Sequence, residues 1–232
     1  MRPIIVFSDF DGTITQQDTG NIIIDKCIGT EKRIRLDDSI LDGRRSFRDA
    51  NNEMWASVNL ETFGEAIALL KENKVSHDVE FGRFHSILTR LNIPLKVVSA
   101  GLKPIVTLYM ESFGNCEIYA NDCSIERTAD GSVSWKLKYV DESPFGHDKG
   151  APIRLLKEQF KAAGLSEEER PRILFIGDGV SDLSAARDAD FVFAKKGKDL
   201  ETYCQREGIS GVIIWEDFGA ICDWLEKWAA AV

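Results

Sequence analysis

Short, mostly apolar runs constrain this chain more than any other feature. Ile4–Phe7, Leu95–Val98, Ile173–Ile176, Phe191–Phe193 and Val212–Ile214 are too brief for buried helices and rich in β-branched and aromatic residues. They scarcely alternate with polar residues, which marks strands buried on both faces. Helical patterns follow most of them. Strands of this kind alternating with helices predict an α/β fold, a parallel sheet with helices on both faces. Ligands bind such a sheet beyond the carboxyl ends of its strands, where this sequence concentrates its acids, glycines and hydroxyls.

Two stretches break the alternation. From about Gln17 to Asn92 only helical signals occur, with Phe63, Ile67 and Leu70, and then Phe84, Ile87, Leu88 and Leu91, at helical spacing. Gly29 follows the apolar helix Ile22–Ile28 where a C-cap glycine belongs. A crossover needs only a dozen or so residues, so this block reads as an inserted all-helical cap, 17–92, on a core formed by 1–16 and 93–232. The second irregularity, about 116–139, reads as a small β-hairpin: arms Glu117–Ala120 and Ser132–Leu137, with Asp130-Gly131 as turn signal. An amphipathic helix ends the chain, Asp217 its N-cap and Phe218, Ile221, Leu225 and Trp228 its buried face.

The charge balance of 29 basic against 38 acidic residues, −9 overall, argues against a nucleic-acid partner. It leaves room for a small anion, since one metal and a few placed cations can outvote the global field. Five cysteines lie scattered with no C-x-x-C spacing, as expected of free thiols in a reducing compartment. The apolar run after Met1-Arg2-Pro3 is too short for a signal peptide, and nothing approaches a membrane span. No membrane partner is expected, and the expected location is the cytoplasm, with the nucleus left open. No oligomeric state is specified.

Four motifs carry chemistry. Asp9-Phe10-Asp11-Gly12-Thr13 ends the first strand. Carboxylates at i and i+2 there can face one crevice, with Gly12 letting backbone approach a ligand. They suit a hard divalent cation such as Mg²⁺ beside phosphate oxygens, and a carboxylate can itself attack phosphorus. A plain polar turn would also use Asp and Gly. Gly177-Asp178-Gly179-Val180-Ser181-Asp182 again places acids at a strand end. Asp178 can complete a magnesium site; Asp182 either orients a neighbour or is a first-turn helix acid. Lys149, in His147-Asp148-Lys149-Gly150 at the head of a helix running to about Ala163, stands at the wrong end of a helix dipole unless an anion shares the site. Ser99, with the amides from Ala100 onward, can hold phosphate oxygens where strand passes to helix, or can be a simple N-cap.

Taken in order, DxDGT at Asp9/Asp11, Ser99, Lys149 and GDGxSD at Asp178/Asp182, the set resembles the haloacid dehalogenase-like hydrolases, aspartyl-phosphate-forming phosphatases on a Rossmann-like sheet. The helical insertion between the first two motifs and the hairpin resemble the phosphoserine phosphatase-like branch. The segments Tyr139–Lys149 and Gly177–Ala186 look like small fungal phosphatases of the superfamily, similar to methionine-salvage enolphosphatases and phosphocholine phosphatases. One departure stands out. That branch carries an acid at the position of Asp18 and a cap arginine seven residues after a G-x-x-x-F segment. Here the acid is kept, but the arginine's position, counted from Gly43–Phe47, is Met54. Asp18 also suits the N-cap of the first cap helix. Without the arginine a carboxylate has no clamp, so phosphoserine is a poor expectation. Arg44, Arg45 and Arg48 remain as candidate substrate contacts, two of them at least more in keeping with a solvated face.

The resemblance implies a Mg²⁺-dependent phosphomonoesterase for a small metabolite, with a sugar or polyol phosphate favoured. In it Asp9 is nucleophile, Asp11 general acid and base, Asp9, Asp178 and the Asp11 carbonyl the metal ligands, Ser99, Ala100, Gly12 and Lys149 the phosphate site, and Asp182 the support of Lys149. The alternatives are a phosphotransferase or mutase on the same scaffold, a phosphatase for phosphocholine or a methionine-salvage intermediate, and a binding protein that has lost the chemistry. Retention of Asp9, Asp11, Lys149 and Asp178 together speaks against the last.

Overall fold

The computed structural model describes residues 2–114, 116–144 and 146–230. Strands β1 (Ile4–Ser8), β2 (Leu95–Leu102), β3 (Glu117–Arg127), β4 (Val133–Lys138), β5 (Arg172–Gly177), β6 (Phe191–Lys195) and β7 (Val212–Trp215) form one sheet, in the order β4-β3-β2-β1-β5-β6-β7. All pairings are parallel except that of β3 with β4. The pleat divides each strand between two cores. Ile4, Val6, Val97, Leu174, Ile176 and Phe193 share a cluster with helices α5 (Phe81–Arg90), α6 (Lys103–Met110) and α10 (Phe218–Ala230). Their neighbours Phe7, Val98, Ile173, Phe175, Val192 and Ala194 pack on α7 (Ala151–Ala162), α8 (Leu183–Asp188) and α9 (Asp199–Arg206). Burial on both faces is why these runs scarcely alternate.

Between β1 and β2 lie α1 (Thr19–Ile28), α2 (Thr30–Leu41), α3 (Phe47–Ala56), α4 (Phe63–Glu72) and α5. Side chains fix their starts: Asp18 accepts from Asn21 N at 2.7 Å, Ser46 from Asp49 N at 3.1 Å and Thr62 from Glu65 N at 3.2 Å. Helices α1–α4 share a third core of Ile23, Ile24, Leu36, Met54, Trp55 and Leu70. Helix α5, inside the block the sequence reads as all cap, instead turns Phe81, Phe84, Ile87 and Leu88 into the sheet's own core against Phe218. At the other end of the chain Asp217 does accept from Gly219 N, at 2.9 Å, as its N-cap position implies.

The hairpin needs correction. Glu117–Ala120 is not a hairpin arm but pairs in parallel with Lys96–Ser99, and the same strand then runs on so that Asp122–Arg127 pairs with β4. Asn121 manages the change of partner: fully buried, it donates to Ala100 O at 2.9 Å and accepts from Val140 N at 3.0 Å. Local patterning cannot reveal such a handover, because both halves read as strand. The turn at Asp130-Gly131 is where expected, Gly131 at φ +85°. Beyond it Trp135 is buried under the α1–α4 core, stacked on Trp55 at 5.8 Å and donating from Nε1 to Leu60 O at 2.8 Å. The hairpin is thus a prop beneath those helices.

Candidate active site

Strand β1 delivers Asp9 at the carboxyl edge, and an irregular turn, Phe10–Ile14, follows. Asp9 is nearly buried. Its Oδ1 accepts from Phe10 N at 2.6 Å and lies 2.8 Å from Lys149 Nζ. Gly12 is at φ +75°, and a Cβ there would stand 2.5 Å from Asp178 Oδ2. The glycine lets the turn after β1 pack against the acid after β5.

Lys149 does not lie within α7 but in the turn just before it, capped by Gly150. Its ammonium is 1% exposed, 2.8 Å from Asp9 Oδ1 and 2.6 Å from Asp182 Oδ1. The other oxygen of Asp182 accepts from the amides of Asp178 and Gly179, both at 2.9 Å. Both readings of Asp182 hold: it pairs with Lys149 and, as the first-turn acid of the short helix Val180–Asp182, ties down the turn after β5. Burial works against the Lys149 charge, but Asp182 and Asp9 outweigh it and hold its pKa above the usual range.

Asp11 faces the opposite wall. Its Oδ1 accepts from Thr19 N at 2.8 Å and Thr19 Oγ1 at 2.7 Å. Burial, then the nearby Asp18 charge, pushes its pKa up to about 7 against the pull of the Thr19 bonds. Burial, then the Asp182 charge, likewise raises Asp178 to about 6. Asp9 is raised well above the carboxylate range by burial and then by Asp182, with Lys149 opposing. Oxygens of Asp9, Asp178 and Asp182 lie within 4.8 Å of one another. Buried carboxylates that resist ionising together fit a hard divalent cation. Asp182 has both oxygens engaged, so Asp9 and Asp178 are the better ligands.

Ser99 is an internal residue of β2, which runs on to Leu102 before α6 begins, so it is not a helix N-cap. It is fully buried, accepting from Gly101 N at 2.9 Å. A Cβ at Gly101 would come within 2.6 Å of Asp11 Oδ2 and 3.1 Å of Ser99 Oγ, so the serine hydroxyl and the acid flank the same glycine.

A cavity of about 470 Å³ gathers Asp9, Asp11, Gly12, Asp18, Ala100, Lys149 and Asp178, within the range of small-molecule sites. Asp18 both caps α1 and lines this cavity. The three arginines do not line it. Arg44 pairs with Asp42, Arg45 with Glu53, and Arg48 with the segment 141–143. Several residues that line it went unmarked in the sequence: Asn21, Asp37, Asn51 and Trp55 from α1–α3, and Lys198 after β6. Lys195, at the end of β6, reaches Gly12 O at 2.6 Å. Lys195 ends β6 and Lys198 follows it, so both sit at a strand's carboxyl edge, a position the apolar run Phe191–Phe193 marks. Asp37, paired with Arg33 four residues earlier at 2.9 Å, looks like any helix-surface ion pair.

Residues 6–187 match the family described as HAD, haloacid dehalogenase-like hydrolase. The chain is 39% identical over 216 residues to the polyol phosphate phosphatase PYP1 of Saccharomyces cerevisiae, covering 90% of this chain and 87% of that protein. It is 40% identical to the Pdp3-interacting factor 1 of Schizosaccharomyces pombe, over 90% and 89% of the two chains. A 2-hydroxy-3-keto-5-methylthiopentenyl-1-phosphate phosphatase of Geobacillus kaustophilus is 29% identical, over 90% and 89%. In fold, a phosphoserine phosphatase solved as a phospho-aspartyl intermediate analogue superimposes with TM-score 0.70 at 18% identity, covering 97% of this chain and 99% of that one.

Proposed function

The chain belongs to the haloacid dehalogenase-like hydrolases and is a phosphatase of small phosphoesters, and from that premise we propose that it hydrolyses a polyol or sugar phosphate through a phosphorylated Asp9 with Mg²⁺ as cofactor. The observation that carries the reading is Lys149 held between Asp9 and Asp182, with Asp11, pKa about 7, on the same cavity.

Asp9 Oδ1 is held by Phe10 N and Lys149, which leaves Oδ2 to attack phosphorus in line. As the new O–P bond forms and the ester bond breaks, protonated Asp11 gives its proton to the departing alkoxide. A water then attacks the phosphoaspartate, its proton passes to Asp11, and Asp9 is released with inorganic phosphate. Lys149 neutralises charge on the equatorial oxygens, and the Ser99 hydroxyl and the Gly12 and Ala100 amides orient them. Asp182 keeps Lys149 in place. Asp9, Asp178 and the Asp11 carbonyl would hold Mg²⁺, which supplies positive charge to the phosphoryl oxygens and to the crowded carboxylates.

Helices α1–α4 act as the cap and choose the leaving group. Their cavity-lining side chains include Asp18, Asp37, Asn21 and Asn51 but no cation among the described residues, and Met54 lines the cavity where a carboxylate clamp would be. Neutral amides and acids suit hydroxyls, and two carboxylates repel an acidic leaving group. The name of the yeast relative agrees with that preference.

Phosphate release from polyol, sugar, amino-acid and choline phosphates, with Mg²⁺, with EDTA and with Asp9→Asn, tests the proposal. Polyol or sugar esters should turn over fastest, and both EDTA and the variant should abolish turnover. Product analysis with added acceptor sugar separates hydrolysis from transfer. Turnover that survives EDTA or Asp9→Asn refutes the mechanism.

A further inference from the structure

Arg48 belongs to α3, whose Phe47, Asn51, Met54 and Trp55 line the cavity, but its own side chain leaves the cavity and crosses to the segment that leads to Lys149. Its Nε donates to Ser143 O at 2.9 Å and its Nη2 to Asp141 O. The guanidinium lies over the Tyr139 ring, 4.5 Å from the centroid, and the Tyr139 hydroxyl donates to Asn52 Oδ1 at 3.0 Å, one helical turn further along α3. The bond to Glu142 is to an almost fully exposed carboxylate and contributes little.

The segment so gripped is internally braced. Asp141 accepts from Ser143 N at 2.8 Å and, through its other oxygen, from Asp148 N at 2.7 Å, the residue before Lys149. Gly146, at φ +71°, lies so close to the Tyr139 ring that any side chain there would collide with it. Phe145, between these contacts, lies outside the described residues. A planar fork bridging two carbonyls fixes backbone in a way a point charge cannot, and a small displacement of a phosphate-binding group is costly.

We propose that Arg48 is a positioning residue: its grip on the Asp141 and Ser143 carbonyls sets Lys149 against Asp9 and ties that lysine to the cap helix that meets the leaving group. The inference rests on the phosphate-binding role of Lys149 proposed above.

Inorganic phosphate, titrated by calorimetry into the full chain with Mg²⁺, reads the position of Lys149 without turnover, and KM and kcat are measured alongside. Arg48→Ala should weaken phosphate binding about tenfold and lower kcat more than it raises KM. Arg48→Lys should rescue little, because an ammonium cannot bridge both carbonyls. In a Lys149→Met background, Arg48→Ala should have no further effect on phosphate. Tyr139→Phe, which keeps the ring and removes the bond to Asn52, should shift phosphate affinity in the same direction by less, and serves if Arg48→Ala does not fold. A lowered melting temperature with unchanged phosphate affinity, full rescue by lysine, or an equal loss in both backgrounds overturns the inference. If the wild-type chain itself binds no phosphate and hydrolyses no ester, the reading of the site fails first, and Arg48 with it.

Discussion

His147, two residues before Lys149, should make the protein lose stability in mild acid. The residue is 2% exposed, and neither ring nitrogen has a hydrogen-bond partner among the described residues. The nearest acid, Asp141, is 3.7 Å from Nδ1. Burial, then the Lys149 charge, lowers its pKa from 6.5 to about 4, with Asp141 opposing. Well above pH 6.5 the ring is neutral folded or unfolded, and its titration costs nothing. As pH falls towards 4 the unfolded chain takes up a proton that the native site refuses, so stability drops, by about 3 kcal/mol in all, and then levels off. His147→Phe removes the titration and the unpartnered nitrogens together, and a neighbouring cavity of about 250 Å³ gives the larger ring room. Urea unfolding of both proteins at about pH 7.5 and about pH 4.5 isolates the effect, since the carboxylates with raised pKa values are common to both. The variant should be within about 1 kcal/mol of wild type at the higher pH and more stable by a further 2–3 kcal/mol, roughly, at the lower. A gap that does not change with pH would refute the buried neutral imidazole.

Other expectations follow from single residues. Gly12→Ala places a Cβ 2.5 Å from Asp178 Oδ2 on backbone at φ +75°; stability should fall by about 1–2 kcal/mol, and turnover by about a hundredfold, with a raised Mg²⁺ requirement in a metal titration. Asp37→Asn removes one of the cap's acids from the cavity, so turnover of a carboxylate-bearing ester should rise about tenfold relative to a polyol ester in competition assays. Trp135→Ala empties the prop beneath α1–α4 and should cost about 3–5 kcal/mol in chemical denaturation.

Much of the candidate site was legible in the sequence because its residues are local. Asp9, Asp11 and Gly12 fall within one turn, Asp178 and Asp182 within another, each directly after a strand whose apolar run announces it. Lys149 gave itself away as a cation ahead of a helix. What stayed hidden depends on long-range pairing. Thr19 binds Asp11 only because α1 folds back over the turn, and β3 exchanges one partner for another at Asn121 without a break in its pattern. The cap arginines show the reverse failure. Charge and position suggested substrate contacts, yet Arg44 and Arg45 are satisfied by acids of their own block, and Arg48 by carbonyls more than 90 residues away. A charged side chain's partner is set by tertiary approach, which spacing does not encode.

The measurement closest to the central claim is to trap the covalent intermediate. Asp11→Asn is mixed with a nitrophenyl phosphate radiolabelled in the phosphoryl group, whose leaving group departs without the proton that Asp11 gives an alkoxide, quenched in acid within the first turnover, digested and mapped. Label should reside on the peptide containing Asp9, build up because the water's proton has no acceptor, and be absent from Asp9→Asn. Label on another residue, or a wild-type turnover in which phosphate appears with no labelled protein at any time, would contradict an aspartyl-phosphate at Asp9.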